Sequence, residues 1–167
     1  MGNDSSKSFW GGPFKETFNF VISGLDAAGK TSLLYMLGAT PEVSIPSIGY
    51  NIESCHLRGL SITPWDTSGR SRIGSLDKMI ISNDAQALIW MVDSNDNDRF
   101  GESLGELKFK MDILAEIKPN FPLLLFCNKQ DLPGAMSVEK IVKRFKEVTD
   151  HWPFLALGCS VTKKENI

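Results

Sequence analysis

The 167-residue sequence predicts an α/β fold, a doubly wound and mostly parallel six-stranded sheet, on three observations. Short apolar runs alternate with stretches whose apolar residues recur every three or four positions, the pattern of strands separated by helices. Two of the runs, Ala87 to Val92 (ALIWMV) and Leu123 to Cys127 (LLLFC), are almost wholly apolar, as parallel strands covered on both faces must be. A glycine-rich loop stands between the first strand and the first helical stretch, which puts a ligand loop at the carboxyl end of a strand.

Taken in order, Phe18 to Ser23 (FNFVIS) is the first strand, and Thr31 to Leu37, with Leu33, Leu34 and Leu37, is a helix that Gly38 ends. Ile52 to Leu57 and Leu60 to Trp65 alternate in polarity and join at Arg58 and Gly59, which predicts an antiparallel hairpin. Pro64 lies inside its second strand, where the missing N–H calls for a bulge or an unpaired position. Ser75 to Ile81 is a candidate helix, and Ala87 to Val92 is the next strand. Leu104, Leu107, Met111, Leu114 and Ile117 mark a long helix that stops before Pro119. Leu123 to Cys127, a helix over Ser137 to Val148 and a last strand at Phe154 to Leu157 complete the order βαββαβαβαβ. Right-handed crossovers wind this order into one sheet with its ligand loops at the strands' carboxyl ends.

The length suits one domain with a substantial core. Eighteen Lys and Arg against twenty Asp and Glu leave a net charge of −2, without the basic footprint that a nucleic acid needs. Cys55, Cys127 and Cys159, with His56 and His151, have no zinc or disulfide spacing. No run approaches the roughly 18 apolar residues of a spanning helix, and no long apolar secretory segment opens the chain. Together these features point to reducing cytosol.

Gly24, Leu25, Asp26, Ala27, Ala28, Gly29, Lys30 and Thr31 fit G-x-x-x-x-G-K-[ST], followed by Ser32. Between a strand and a helix, such a loop turns successive backbone N–H groups toward phosphates. Lys30 reaches the β- and γ-phosphates, and the Thr31 hydroxyl ligates Mg²⁺. A glycine-rich turn that merely joins two elements is the alternative. ATP and GTP enzymes share this loop, so the base is decided elsewhere. Asn128-Lys129-Gln130-Asp131 follows the Leu123 to Cys127 strand. The Asp131 carboxylate can accept paired hydrogen bonds from guanine N1–H and its 2-amino group, an edge that adenine lacks. Asn128 would brace the loops and Lys129 would lie along the base. A solvated polar loop is the alternative for these residues.

GLDAAGKT, IPSIGYN (Ile45 to Asn51), WDTSG (Trp65 to Gly69), VDSND (Val92 to Asp96) and NKQDLP (Asn128 to Pro133) together resemble the Arf and Arf-like small GTPases. The resemblance runs from about Phe18 to the end and implies the P-loop small-GTPase fold, with GTP or GDP and Mg²⁺ as ligands. It implies that Ser47 ligates Mg²⁺ in the GTP state, that Asp66 holds the metal through water, and that the Gly69 N–H senses the γ-phosphate. Hydrolysis would then release both switch segments. Tyr50, Trp65 and Ile80 stand at the family's effector patch, with ordinary core packing as the alternative. Ser160 and Val161 stand at the segment whose backbone contacts guanine O6. Residues 18–167 would be the GTP-binding domain. The sequence ends at Ile167 where the family's last helix begins, which implies a sheet face without that cover.

Two departures accompany the resemblance. Arg70 occupies the place of the catalytic glutamine, and it has no acceptor with which to orient water. Slow intrinsic turnover is the expectation, with a GTP-loaded scaffold as the alternative function; an ATP-using P-loop kinase is opposed by Asn128 to Asp131. Met1-Gly2-Asn3-Asp4-Ser5-Ser6 fits the myristoylation pattern at Gly2. With Phe9, Trp10 and Phe14, residues 1–17 are expected to form a membrane-interaction segment, although Gly11, Gly12 and Pro13 interrupt any continuous helix. The expected partners are effectors, an exchange factor and a GTPase-activating protein. The expected state is a monomer reversibly bound to the cytosolic face of membranes.

Overall fold

A computed structural model of the chain describes residues 18–38, 55–57, 60–64 and 84–167. β1 (Phe18–Ser23) leads through a loop into α1 (Lys30–Met36). β2 (Cys55–Leu57) and β3 (Leu60–Pro64) pair antiparallel, Cys55 opposite Ile62 and Leu57 opposite Leu60. There follow β4 (Ala87–Asp93), α2 (Phe100–Ile117), β5 (Leu123–Asn128), α3 (Val138–Thr149) and β6 (Phe154–Gly158). Among the described residues the sheet order is β2-β3-β1-β4-β5-β6; the five strands from β3 to β6 run parallel, and β2 lies antiparallel at one edge. The chain moves from β1 outward to β3, then returns to add β4 on the other side. The crevice at this reversal is where open α/β sheets take their ligands.

The strand patterns explain why both faces are covered. Leu88, Trp90 and Val92 of β4, with Leu123, Leu125 and Cys127 of β5, face α2 and α3 and pack on Leu107, Met111, Leu114, Ile141 and Phe145. Their alternates Ile89 and Met91 join Ile22 and Ile62 beneath Leu33 and Leu34 of α1. Each large apolar side chain buried in this way contributes about 1.5–3 kcal/mol. Trp90 is wholly buried, and its one polar atom is matched, because Nε1 donates to Ser103 Oγ at 3.1 Å. Phe100 at the start of α2 meets Phe145 of α3 edge to face, centroids 5.0 Å apart.

β6 is less covered than the central strands. Leu155 is 62% exposed, and Phe154 and Leu157 also reach the surface. Among the described residues no helix follows β6. The chain instead turns back through a Ser160–Glu165 bridge, and Asn166 Nδ2 donates to the Gly158 carbonyl at 3.0 Å.

Of the bulge or the unpaired position that Pro64 calls for, the bulge is absent from the pairing with β1, where Phe18 to Ile22 match Leu60 to Pro64 one for one. Pro64 is the last described residue of β3 and lies beyond the described part of β2, and its missing N–H shifts no register against β1. The candidate helix from Ser75 to Ile81, the first residues of the hairpin and Trp65 lie outside the described residues.

Candidate functional site

The loop after β1 is shaped by backbone that few side chains permit. Gly24 has φ +140° and lies against the Met91 carbonyl of β4, so a Cβ there would run into that carbonyl. Ala27 (φ 59°) and Gly29 (φ 105°) take further left-handed turns, and the chain curls before α1 begins. Alternating backbone of this kind forms a concavity lined by N–H groups, suited to anions. The Lys30 ammonium folds back over the curl and donates to the carbonyls of Gly24 at 2.7 Å and Leu25 at 2.8 Å. Thr31 and Ser32 follow on the exposed side of the first turn.

Asn128, the last residue of β5, ties this loop to two others. Only 3% exposed, it donates from Nδ2 to the Ala28 carbonyl at 2.8 Å and accepts the Val161 N–H on Oδ1 at 3.1 Å. Gly29 must lack a side chain here as well, because its Cβ would strike Asn128 Nδ2. Lys129 takes a left-handed φ of 66° and ion-pairs with Asp93 at 2.5 Å. Gln130 anchors the same turn by donating to Ser94 Oγ at 2.8 Å and to the Met136 carbonyl at 2.9 Å. The Ser160 hydroxyl near Asp131, ahead of the Asp131 N–H and the Lys163 charge, holds its carboxyl below the usual carboxylate range. An ionised carboxylate is a pure acceptor, the partner that a pair of N–H donors on a base requires.

An outer set of contacts joins the same loops. Asp93 at the end of β4 receives Lys129 on Oδ2 and the Asn95 N–H on Oδ1. Asp96 accepts the Arg99 N–H at 3.2 Å and the Arg99 Nε at 2.7 Å, and the Arg99 guanidinium reaches Asp26 of the loop at 2.7 Å. Arg99 holds the Asp96 carboxyl below its ordinary value.

The chemistry left for other residues is limited. Burial pushes the Cys127 thiol up to about 12 and the Cys159 thiol up to about 11, so neither is a thiolate at neutral pH. A cavity of about 440 Å³ between α2 and α3, lined by Met111, Asp112, Pro119, Val148, His151 and Trp152 among others, contains none of the residues named for the loops.

A family-wide sequence comparison matches residues 8–167 to the ADP-ribosylation factor family. The chain belongs to the Arf family. It is therefore a small GTP-binding switch protein, of a kind that binds GTP and GDP and works with regulators and effectors. No helix among the described residues is long and apolar enough to cross a membrane.

Within this Arf-family chain, the structure brings Gly24 to Ser32 together with Asn128, Lys129, Asp131, Ser160 and Val161 at the carboxyl ends of β1, β5 and β6. Gly2, Ser47, Tyr50, Trp65, Asp66, Gly69, Arg70 and Ile80 lie outside the described residues. Sequence reasoning did not single out Asp93, Asp96, Arg99 or Gln130 for roles of their own. Asp96 did carry a signal, as an acidic residue four positions before the helix that starts at Phe100. For Arg99, 73 positions from its partner Asp26, there was none.

Proposed function

We propose that this protein binds GTP and GDP at the loops gathered around Asn128 and uses the difference between them to dock effectors, with slow intrinsic hydrolysis. The observation that carries the reading is the double engagement of Asn128 with Ala28 and Val161, which joins the phosphate loop to the base-reading loops beside an ionised Asp131. The loop curvature fits a polyphosphate, because the backbone approaches closely where Gly24 and Gly29 have no side chain. Lys30 would neutralise phosphate charge, and Asp131 would select guanine by accepting from its N1–H and 2-amino group. Thr31, Ser47 and, through water, Asp66 supply the hard oxygen donors that Mg²⁺ prefers. When bound, Mg²⁺ would offset the negative charge between phosphate oxygens. The Gly69 N–H would report the γ-phosphate, and Tyr50, Trp65 and Ile80 would present the effector surface. Exchange and GTPase-activating partners would set the cycle.

Nucleotide identity tests this reading. GDP is expected to compete a fluorescent GDP analogue from the purified chain at concentrations at least ~1,000-fold below those of ATP, because a buried or shielded acceptor without its donors is costly. Equal potency of ATP would reject guanine selection.

Arg70 decides how the switch resets. A guanidinium donates but cannot accept, so it cannot orient attacking water as a glutamine does. In single-turnover GTP hydrolysis, Arg70→Gln is expected to exceed the wild type by about tenfold or more, an effect of at least ~1.4 kcal/mol on the barrier. A wild type as fast as the variant would remove this account. Turnover undetectable in both proteins would favour the second reading, a GTP-loaded scaffold.

Residues 1–17 would hold the protein on the cytosolic face of membranes as a peripheral monomer. Gly2 would carry a myristoyl group, and Phe9, Trp10 and Phe14 would supply the second apolar signal that one acyl chain needs. Co-expression with an N-myristoyltransferase is expected to add one acyl mass after loss of Met1; an unmodified intact mass would exclude the anchor.

A further inference from the structure

The phosphate loop is held from two sides, and the outer side brings in Arg99, Asp96 and Asp93, which have no part in the proposed nucleotide contacts. Arg99 stands at the start of α2 between two carboxylates on different segments. Its Nη1 donates to Asp26 Oδ1 at 2.7 Å and its Nη2 to the Asp26 carbonyl at 3.4 Å, while its Nε donates to Asp96 Oδ2 at 2.7 Å. Asp96 is fixed in turn by the Arg99 N–H and by its own N–H, which donates to the Asp93 carbonyl at 3.3 Å. Asp93 ion-pairs with Lys129. A continuous chain of contacts, Lys129 to Asp93 to Asp96 to Arg99 to Asp26, therefore runs from the base-reading turn to the phosphate loop outside the buried Asn128 link.

Building on the proposed nucleotide site, we infer that Arg99 is a positioning residue for the phosphate loop, clamping Asp26 against the Asp93 to Asp96 segment so that the loop keeps its curl when nucleotide is bound. A planar guanidinium can satisfy the Asp26 side chain, the Asp26 carbonyl and Asp96 at once, which an ammonium cannot. The clamp sits at the surface, with the side chains of Arg99 and Asp26 35% and 62% exposed, so its contribution is modest and sensitive to salt. A modest clamp on a loop that wraps phosphates acts chiefly on the rate of nucleotide release.

Release of a fluorescent GDP analogue from the full chain, with unlabelled GDP in excess, provides the test. Arg99→Met and Asp26→Asn are each expected to speed release by about 3- to 10-fold, and the double variant no more than either alone. Arg99→Lys should recover part of the loss, whereas Lys110→Met, which breaks an unrelated pair within α2, should release at the wild-type rate. Accelerations that multiply in the double variant, or Asp26→Asn releasing like wild type while Arg99→Met does not, would assign Arg99 only to the start of α2 and overturn the inference. Hydrogen exchange of the 25–28 amides in the nucleotide-free protein supplies a readout that needs no ligand. Faster exchange in Arg99→Met is expected, and unchanged exchange also overturns the clamp. A wild type that binds no guanine nucleotide would reject the proposed function, while the exchange comparison would still judge Arg99.

Discussion

Asn128→Ala is expected to cost this protein about 2–4 kcal/mol of stability and at least ~30-fold in GDP affinity, because one side chain satisfies groups on two separate loops. Its Nδ2 is bonded to the Ala28 carbonyl and its Oδ1 to the Val161 N–H. Ala28 and Val161 are both buried, so truncation leaves a carbonyl and an N–H with restricted access to water. Each such group costs about 1–3 kcal/mol when left unpaired, and water entering at the loop surface offsets part of it. For a chain of this size the loss corresponds to a fall of about 4–16 °C in melting temperature. Asn128→Asp separates the two halves, since the carboxylate can still accept from Val161 but cannot donate to Ala28. Calorimetric melting and titration with GDP would measure both effects. Wild-type affinity in Asn128→Ala would mean that the loops hold their geometry without this link.

Gly24→Ala is expected to be the most damaging single-methyl change in the described residues, at about 3–5 kcal/mol. Two physical terms combine. The φ of +140° is a conformation that side chains rarely adopt, worth about 1–3 kcal/mol of strain. The added Cβ would also enter the Met91 carbonyl, and β4 cannot retreat because it is hydrogen-bonded to β1 on one side and β5 on the other. Gly105→Ala in α2 is the matched comparison: its site is open, with no atom near the new Cβ, so it should stabilise by about 0.5–1 kcal/mol. Opposite shifts in melting temperature are the expected result. Similar shifts in both variants would show that the loss lies in glycine content and not in the approach of loop to strand.

Much of this architecture was legible in the residues themselves. The Ala87 to Val92 and Leu123 to Cys127 runs became adjacent central strands because uninterrupted apolar sequence can satisfy its surroundings only between two covering layers. The strand starts at Phe18, Leu60, Ala87, Leu123 and Phe154 coincide with the observed ones, since each is set by a local change of polarity. Periodicity marks α2 only from Leu104 and leaves its start open; the helix begins at Phe100, where Asp96 captures the Arg99 N–H. Pro64 left a bulge and an unpaired position both open, because the sequence does not say where in the ladder its missing N–H falls.

The amino-acid sequence by itself determined the strand-loop-helix context of Gly24 to Thr31, the acceptor chemistry of Asp131 and the family to which the chain belongs. These are properties of contiguous residues, whose periodicity and side-chain chemistry act over one or two turns of chain. Tertiary structure alone decided that Asn128 meets Ala28, 100 positions away, and that Arg99 meets Asp26, 73 positions away. Such pairs arise only when β1, β4 and β5 become neighbours in the sheet. A side chain's type fixes what it can bond to, while strand order and register fix which partner it finds.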